Sequence, residues 1–258
     1  MDIVNSLSEY LGSIKNYYSD FNVSKDTAGI WFRGLPLSTY DLIPSLYREV
    51  CYKKFEREIT RDFYQNAGMF NGGVSYNGID LLIEMQHYGA PTRLLDWTES
   101  CLVALFFAVE QYKITSDGRV WILRPRLFNK AMHGIESIVM TNEVDLSQHM
   151  LNLSDVLVKS VRCANPIAIK PMRSNSRILA QSGVFVLYGS DVTPLNEIDE
   201  CFDCLDYIDI VGTEKKSIYM DLLQCGITYS KVFPELSYFA KEVAERYALK
   251  DSVVGMSK

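Results

Sequence analysis

The sequence predicts an α+β fold, with mixed small sheets and flanking helices. Three observations predict it. Short apolar runs rich in β-branched and aromatic residues, among them AGIWFRG, RVWILRP, PIAIKP, GVFVLYG and YIDIVGT, end at Gly or Pro in the manner of strands. Longer stretches with apolar residues at helical spacing lie between and around them. Neither GxGxxG nor GxxxxGK[ST] occurs, so nothing marks a Rossmann or P-loop enzyme.

The elements follow in order. IVNSLSEYLGSIKNYYSDF has helical periodicity and predicts an opening helix. AGIWFRG predicts a core strand closing at Gly34. Residues 51–68 are helical and charge-laced, and NGGVSYNG is a glycine-rich loop. A helix is expected from Ile79 to about Tyr88, stopped by Gly89 and Pro91. QHYGAPTRLLDWTES is expected to be a loop before a largely buried helix over ESCLVALFFAVEQYK, itself followed by the strand RVWILRP. Residues 127–164 are less regular and read as an insertion or small helical lobe of one domain spanning 1–258. PIAIKP, GVFVLYG and YIDIVGT are then strands, KKSIYMDLLQCG is a helix stopped by Gly226, and YSKVFPELSYFAKEVAERYAL is a turn and closing helix.

Composition excludes some function classes. A chain of 258 residues, 48% hydrophobic and 22% charged, can bury a sizeable core. Its formal charge of -6 argues against a broad nucleic-acid-binding face, which needs clustered Lys and Arg, and leaves room only for a local basic pocket. The 16 tyrosines suit pockets that use a ring with a polar tip. The N-terminus has no run of signal-peptide character, and CLVALFFAV falls far short of the roughly 20 residues a membrane helix needs. Six scattered cysteines fit a cytoplasmic protein without structural disulfides. CFDC at 201–204 has CxxC spacing but no second ligand pair, so no metal is expected. His133 and His149 are isolated and read as surface residues.

Candidate site residues gather in two segments. In WFRG, Arg33 at a strand end can grip a phosphate with its guanidinium fork, or pair with a surface carboxylate. In QHYGAPTRLLDWTES, Thr98 is expected to cap the helix that begins near Glu99, and Asp96 to hold Arg93 in an ion pair. Those structural roles leave Gln86 and His87 unexplained, and a helix N-terminus binds anions readily, so the segment reads as a pocket wall. In SNSRILAQSG, Gln181 is either solvated at a strand entrance or a ligand contact, and Arg177 is expected in an exposed ion pair.

WFRG, QHYGAPTRLLDWTESCLVALFFA and SRILAQSGVFVLYG resemble the three signature blocks of the FRG domain family, named for its Phe/Tyr-Arg-Gly motif, and GITYSKVFPEL resembles the family's ending. A second resemblance bears on mechanism. ADP-ribosyltransferases of the Arg-Ser-Glu class carry an aromatic-Arg-Gly strand, a Ser-Thr-Ser strand leading into a helix, and a Glu-x-Glu strand start. WFRG, LLDWTESCLVALFFA and AQSGVFVLY are similar to these in turn, with Gly183 near the catalytic glutamate's place.

This second resemblance implies an ADP-ribosyltransferase-like core with NAD as substrate and no metal. Arg33, His87, Asp96 and Gln181 would be the catalytic group, while Arg33, Gly34, Tyr88, Arg93 and Thr98 would hold the dinucleotide. It further implies a bacterial toxin or phage-defence effector acting on RNA, DNA or protein, with an antitoxin or chaperone as partner. Two alternatives stay open: an inert nucleotide-binding sensor of the same fold, favoured by the glycine at 183, and a nuclease using His87 as base and Asp96 as orienter. The pocket reading requires Arg33, His87, Asp96 and Gln181 to converge on one cleft.

Overall fold

The computed structural model describes residues 2–20, 29–70, 72–73, 78–141, 164–172 and 175–254. Its elements in chain order begin with β1 (Asp2–Val4), α1 (Leu7–Asp20) and β2 (Trp31–Leu35). Next come α2 (Ser45–Arg48), α3 (Val50–Lys54), α4 (Glu56–Ala67) and α5 (Gly78–His87). The middle holds β3 (Leu94–Thr98), α6 (Cys101–Val109), β4 (Gly118–Leu123), α7 (Pro125–His133) and β5 (Val139–Met140). The rest is β6 (Ile167–Lys170), α8 (Ser176–Gln181), β7 (Gly183–Leu187), β8 (Leu205–Ile210), α9 (Lys215–Gln224), α10 (Tyr229–Val232) and α11 (Leu236–Val254).

These strands form an eight-stranded mixed sheet in the order β1-β8-β4-β2-β3-β7-β6-β5. The fold is α+β, but its strands join in one large sheet where several small ones were expected. The outermost pairs, β1 with β8 and β5 with β6, are parallel, and the inner pairs are antiparallel.

Side-chain alternation along the strands divides the core into three clusters. On one face, Phe32, Val120, Ile122, Ile208 and Ile210 pack against α1, α6 and α9 through Tyr10, Phe106 and Ile218. Across the seam on the same face, Leu94, Phe185, Leu187, Ile167 and Ile169 pack against Leu82 and Met85 of α5. The opposite face is continuous: Trp31, Leu95, Trp97, Trp121 and Val186 meet Phe128 and Met132 of α7. Two groups of helices therefore cover one face and leave a seam over β2 and β3.

The glycine of WFRG sets how closely α6 approaches. A Cβ at Gly34 would lie 1.8 Å from the Ala104 carbonyl oxygen and 2.8 Å from the Ala108 amide, so α6 rests its backbone directly on the strand. Helix α5 stops as its sequence suggests: Gly89 sits at φ 82, with Gly89 N–H donating to the Gln86 carbonyl and Ala90 N–H to that of Met85.

The largest departure from the sequence reading is LLDWT, which is the central strand β3 and not part of a loop. Both of its faces are covered, with Leu94, Leu95, Trp97 and Thr98 buried, so the simple polar-apolar alternation of a half-exposed strand is lost. Ser100, not Thr98, caps α6, its hydroxyl accepting from the Val103 amide at 3.3 Å. The opening stretch begins with β1 before its helix because Asp2–Val4 add to the edge of β8. Of the expected lobe at 127–164, the described part contains most of α7 and β5; residues 142–163, with His149 and Cys163, lie outside the described residues, as do 71 and 74–77 of the glycine-rich loop. His133 is half-buried, its Nε2 3.0 Å from the Pro166 carbonyl oxygen, because the end of α7 packs beside β6. Among the described residues, no helix is long and apolar enough to cross a membrane.

Candidate functional site

The two middle strands barely touch. β2 pairs with β4 over five positions and β3 with β7 over five, but β2 and β3 share one paired position, Phe32 with Thr98. Two positions further along an antiparallel ladder, Gly34 would stand opposite Asp96. Instead the strands splay, and the Asp96 carbonyl oxygen accepts a 2.5 Å hydrogen bond from Arg33 Nη1. A side chain thus satisfies a backbone group that the sheet leaves open.

Over this split lies a cavity of about 250 Å³. Phe32, Phe107 and Phe233 wall it on the α6 side, with Ile83 and Phe185 on the α5 side and Trp97 also in the lining. Its polar groups are Arg33, Gln86, His87, Asp96, Thr98, Asn175, Arg177 and Gln181. The four residues expected to converge therefore do so.

Arg33 has a side chain only 13% exposed and lies 3.8 Å from the Asp96 carboxylate. Burial pulls its pKa down, opposed by Asp96 and reinforced by Arg48, to about 10. It remains a cation at neutral pH, and its Nε is buried without an acceptor. Asp96 is the one acid among the described lining residues. It accepts from Gln86 Nε2 at 2.8 Å, and Gln86 is held in turn by the Thr92 hydroxyl. Gln86, unexplained by sequence, fixes the Asp96 carboxylate.

Thr98 and Gln181 close the floor. The Thr98 hydroxyl donates to the Gln181 carbonyl at 2.5 Å and accepts from the Ser100 amide at 2.9 Å. Its single donor is committed, so Thr98 lines the cavity as a brace between β3 and α8. Gln181 ends α8 and does not begin a strand; its amide donates to the Val232 carbonyl at 3.2 Å.

His87 ends α5. Its Nε2 lies 3.8 Å from Glu235 Oε1, while its Nδ1 and both Glu235 carboxylate oxygens are buried without hydrogen-bond partners. Arg177 Nη1 donates to the His87 carbonyl at 2.7 Å, and its guanidinium stacks 4.7 Å from the Phe233 ring centroid. Arg177 is thus half-buried and structural here, not part of the expected exposed ion pair, because the turn after α10 folds over it.

Three residues expected to hold a dinucleotide are placed otherwise. Arg93 does not line the cavity: its Nε and Nη2 donate to the two oxygens of Glu56, each at 2.6 Å, and Nη1 donates to the Tyr188 and Gly189 carbonyls. Glu56, not Asp96, is its partner, because along extended chain residues an odd number apart, such as 93 and 96, point to opposite faces. Tyr88 is 65% exposed outside the lining, its ring edge-on to His87 at 4.7 Å. Gly34 reaches the lining, but its missing side chain makes room for α6.

Phe233 and Glu235 are the residues that sequence reasoning missed. The available signal was VFPEL, an acid directly after a proline at a helix start. The CFDC pair is buried, with Cys204 Sγ 3.2 Å from the Cys201 carbonyl oxygen, and no group of three or more metal-ligating side chains occurs among the described residues.

No curated protein and no solved structure matches the chain. One family model does, over residues 28–117, a stretch that runs from just before β2 to the start of β4 and includes Arg33, His87 and Asp96. The blocks around Gln181 and Glu235 lie beyond it. The model that matches is that of the FRG domain, and the match is confined to residues 28–117.

Proposed function

We propose that the cavity between β2 and β3 binds NAD, within an ADP-ribosyltransferase-like core, and transfers ADP-ribose to a macromolecule. The observation that carries this reading is Arg33: a nearly buried cation, incompletely paired, set beside a single carboxylate in an aromatic-walled cleft. A buried guanidinium is costly unless its donors are met, and a phosphate or carboxylate oxygen would meet them. The cavity is smaller than the roughly 300–1,000 Å³ of sites for drug-sized ligands, so it takes the nicotinamide-ribose half and leaves the rest along the open rim. Phe107 and Trp97 line the cavity with aromatic surface for a flat ring.

In the reaction, the bond between the ribose anomeric carbon and the nicotinamide nitrogen breaks, and its electron pair leaves with neutral nicotinamide. The carboxylate of Asp96 stabilises the positive charge that builds on the ribose, and a nucleophile from the acceptor closes the new bond. The acceptor is RNA, DNA or protein, and the setting is the cytoplasm, with an antitoxin or chaperone restraining a toxin or phage-defence effector.

The experiment is nicotinamide release from labelled NAD in the presence of cell extract, comparing wild type with Arg33→Ala and Asp96→Ala. Release with label passing to a macromolecule, lost in both variants, supports the reading. Binding without release supports a second reading, an inert nucleotide sensor, which Gly183 favours because no carboxylate stands there. A Cβ at Gly183 would meet Ile178 at 3.6 Å, an ordinary contact, so the backbone accepts a side chain there, and Gly183→Glu, which adds the acid, gives release if the sensor reading holds. Neither binding nor release overturns both. The nuclease reading with His87 and Asp96 as a pair loses ground, since Asp96 is engaged by Gln86 and Arg33 while His87 faces Glu235.

A further inference from the structure

Glu235 sits behind the cavity wall with its carboxylate facing the His87 ring. Both carboxylate oxygens are buried without hydrogen bonds, a state that costs stability and persists where something offsets it. The facing group is His87 Nε2 at 3.8 Å, a little beyond hydrogen-bond length. Such contacts are often long in an empty site and tighten when substrate binds.

The carboxylate is held by rigid neighbours. The Glu235 carbonyl accepts from the Tyr238 and Phe239 amides at 3.1 Å each, so the residue is locked at the start of α11. Two residues before it, Phe233 stacks on Tyr238 at 4.2 Å and lies beneath Arg177, which also grips the His87 carbonyl. The groups around the imidazole are then the Glu235 carboxylate, the Arg177 guanidinium bound to its backbone, and the edge of Tyr88. The other ring nitrogen, Nδ1, is buried with no partner.

We propose that Glu235 is a positioning residue: it holds His87 with its proton on Nε2 and so fixes the tautomer and orientation of the imidazole that lines the cavity. A carboxylate on one ring nitrogen that fixes the tautomer and orientation of an imidazole is part of the general logic of catalytic triads. This proposal rests on the transferase reading for its chemical step. As nicotinamide leaves with the electron pair of the broken bond, the acceptor's lone pair forms the bond to the anomeric carbon, and the acceptor's proton passes to solvent, with the fixed His87 ring holding the cavity wall beside the reacting atoms.

The test has one arm that needs no NAD. The chain has 3 histidines, so proton NMR of ¹⁵N-histidine protein gives few ring signals, and His87→Gln assigns its own. The expected result is a downfield, slowly exchanging Nε2–H resonance that disappears in Glu235→Gln and persists in Glu235→Asp. Absence from wild type, or survival in Glu235→Gln, overturns the proposal whatever the cavity binds. In the second arm, nicotinamide release to an acceptor falls tenfold or more in kcat in Glu235→Gln, with KM within about twofold. Unchanged kcat overturns the catalytic part. Wild type with the resonance but no release keeps the Glu235–His87 pair and removes the transferase reading. Thermal melts of each variant separate loss of folding from loss of the pair.

Discussion

Arg33, in β2, and Arg93, just before the adjacent strand β3, are both nearly buried, with side chains 13% and 6% exposed, yet the protein treats them in opposite ways. Arg93 has a bidentate partner in Glu56 and two further carbonyls on Nη1, so its donors are met within the fold. Arg33 has one backbone oxygen, a carboxylate 3.8 Å away and an Nε without an acceptor. The difference teaches that burial alone does not distinguish the two cations; incomplete pairing beside a cavity does. Arg93 joins α4 to β3 and the end of β7. Arg33 reaches across the split between β2 and β3 to the Asp96 carbonyl.

Substitutions sharpen the contrast, beginning with the largest effect. Arg93→Met leaves the Glu56 carboxylate buried without its partner, and unfolding in urea is expected to show a loss of about 3–5 kcal/mol. Gly34→Ala forces a methyl into the Ala104 carbonyl, so α6 must lift from β2; the expected loss is about 1–3 kcal/mol or more, with displacement of Arg33 visible as weaker ligand binding in calorimetry. Ser100→Ala removes the cap of α6 and costs about 1 kcal/mol, read as a small fall in melting temperature.

A third charged group gives a pH-dependent effect. Burial would raise the Glu242 pKa, but hydrogen bonds from Ser230, Thr228 and Arg246 outweigh it and hold it at about 2. A carboxyl depressed on folding stabilises the native state above its ordinary value of 4.5, and that contribution is lost as pH falls towards 2. Glu242→Gln is therefore expected to flatten the decline in melting temperature over that range. An unchanged acid limb would show that Glu242 is not held this way.

Local signals made much of this legible. The runs around Trp31, Val120, Val184 and Ile208 are strands because β-branched and aromatic residues dominate them, and Gly89 ends α5 as its sequence suggests. Arg33, His87, Asp96 and Gln181 meet at one cavity. What was not legible depends on contacts distant in sequence. LLDWT reads as a loop because a central strand lacks simple alternation, and Thr98 was given the cap that belongs to Ser100 two residues on. The partner of Arg93 lies on α4, and that of His87 lies beyond α10, where no periodicity could point. Gly34 was read through its neighbour Arg33, although its own reason is the helix lying against it.

The most direct measurement is NAD binding to wild type and Arg33→Met by titration calorimetry, with a melting curve for each and for Arg93→Met. Charge-assisted hydrogen bonds contribute about 1.5–3 kcal/mol, so Arg33→Met is predicted to bind at least tenfold more weakly. Its melting temperature is predicted to equal or exceed that of wild type, because an incompletely paired buried cation has been removed. Wild type that fails to bind NAD, Arg33→Met that binds as wild type does, or a melting loss as large as that of Arg93→Met would each contradict the account.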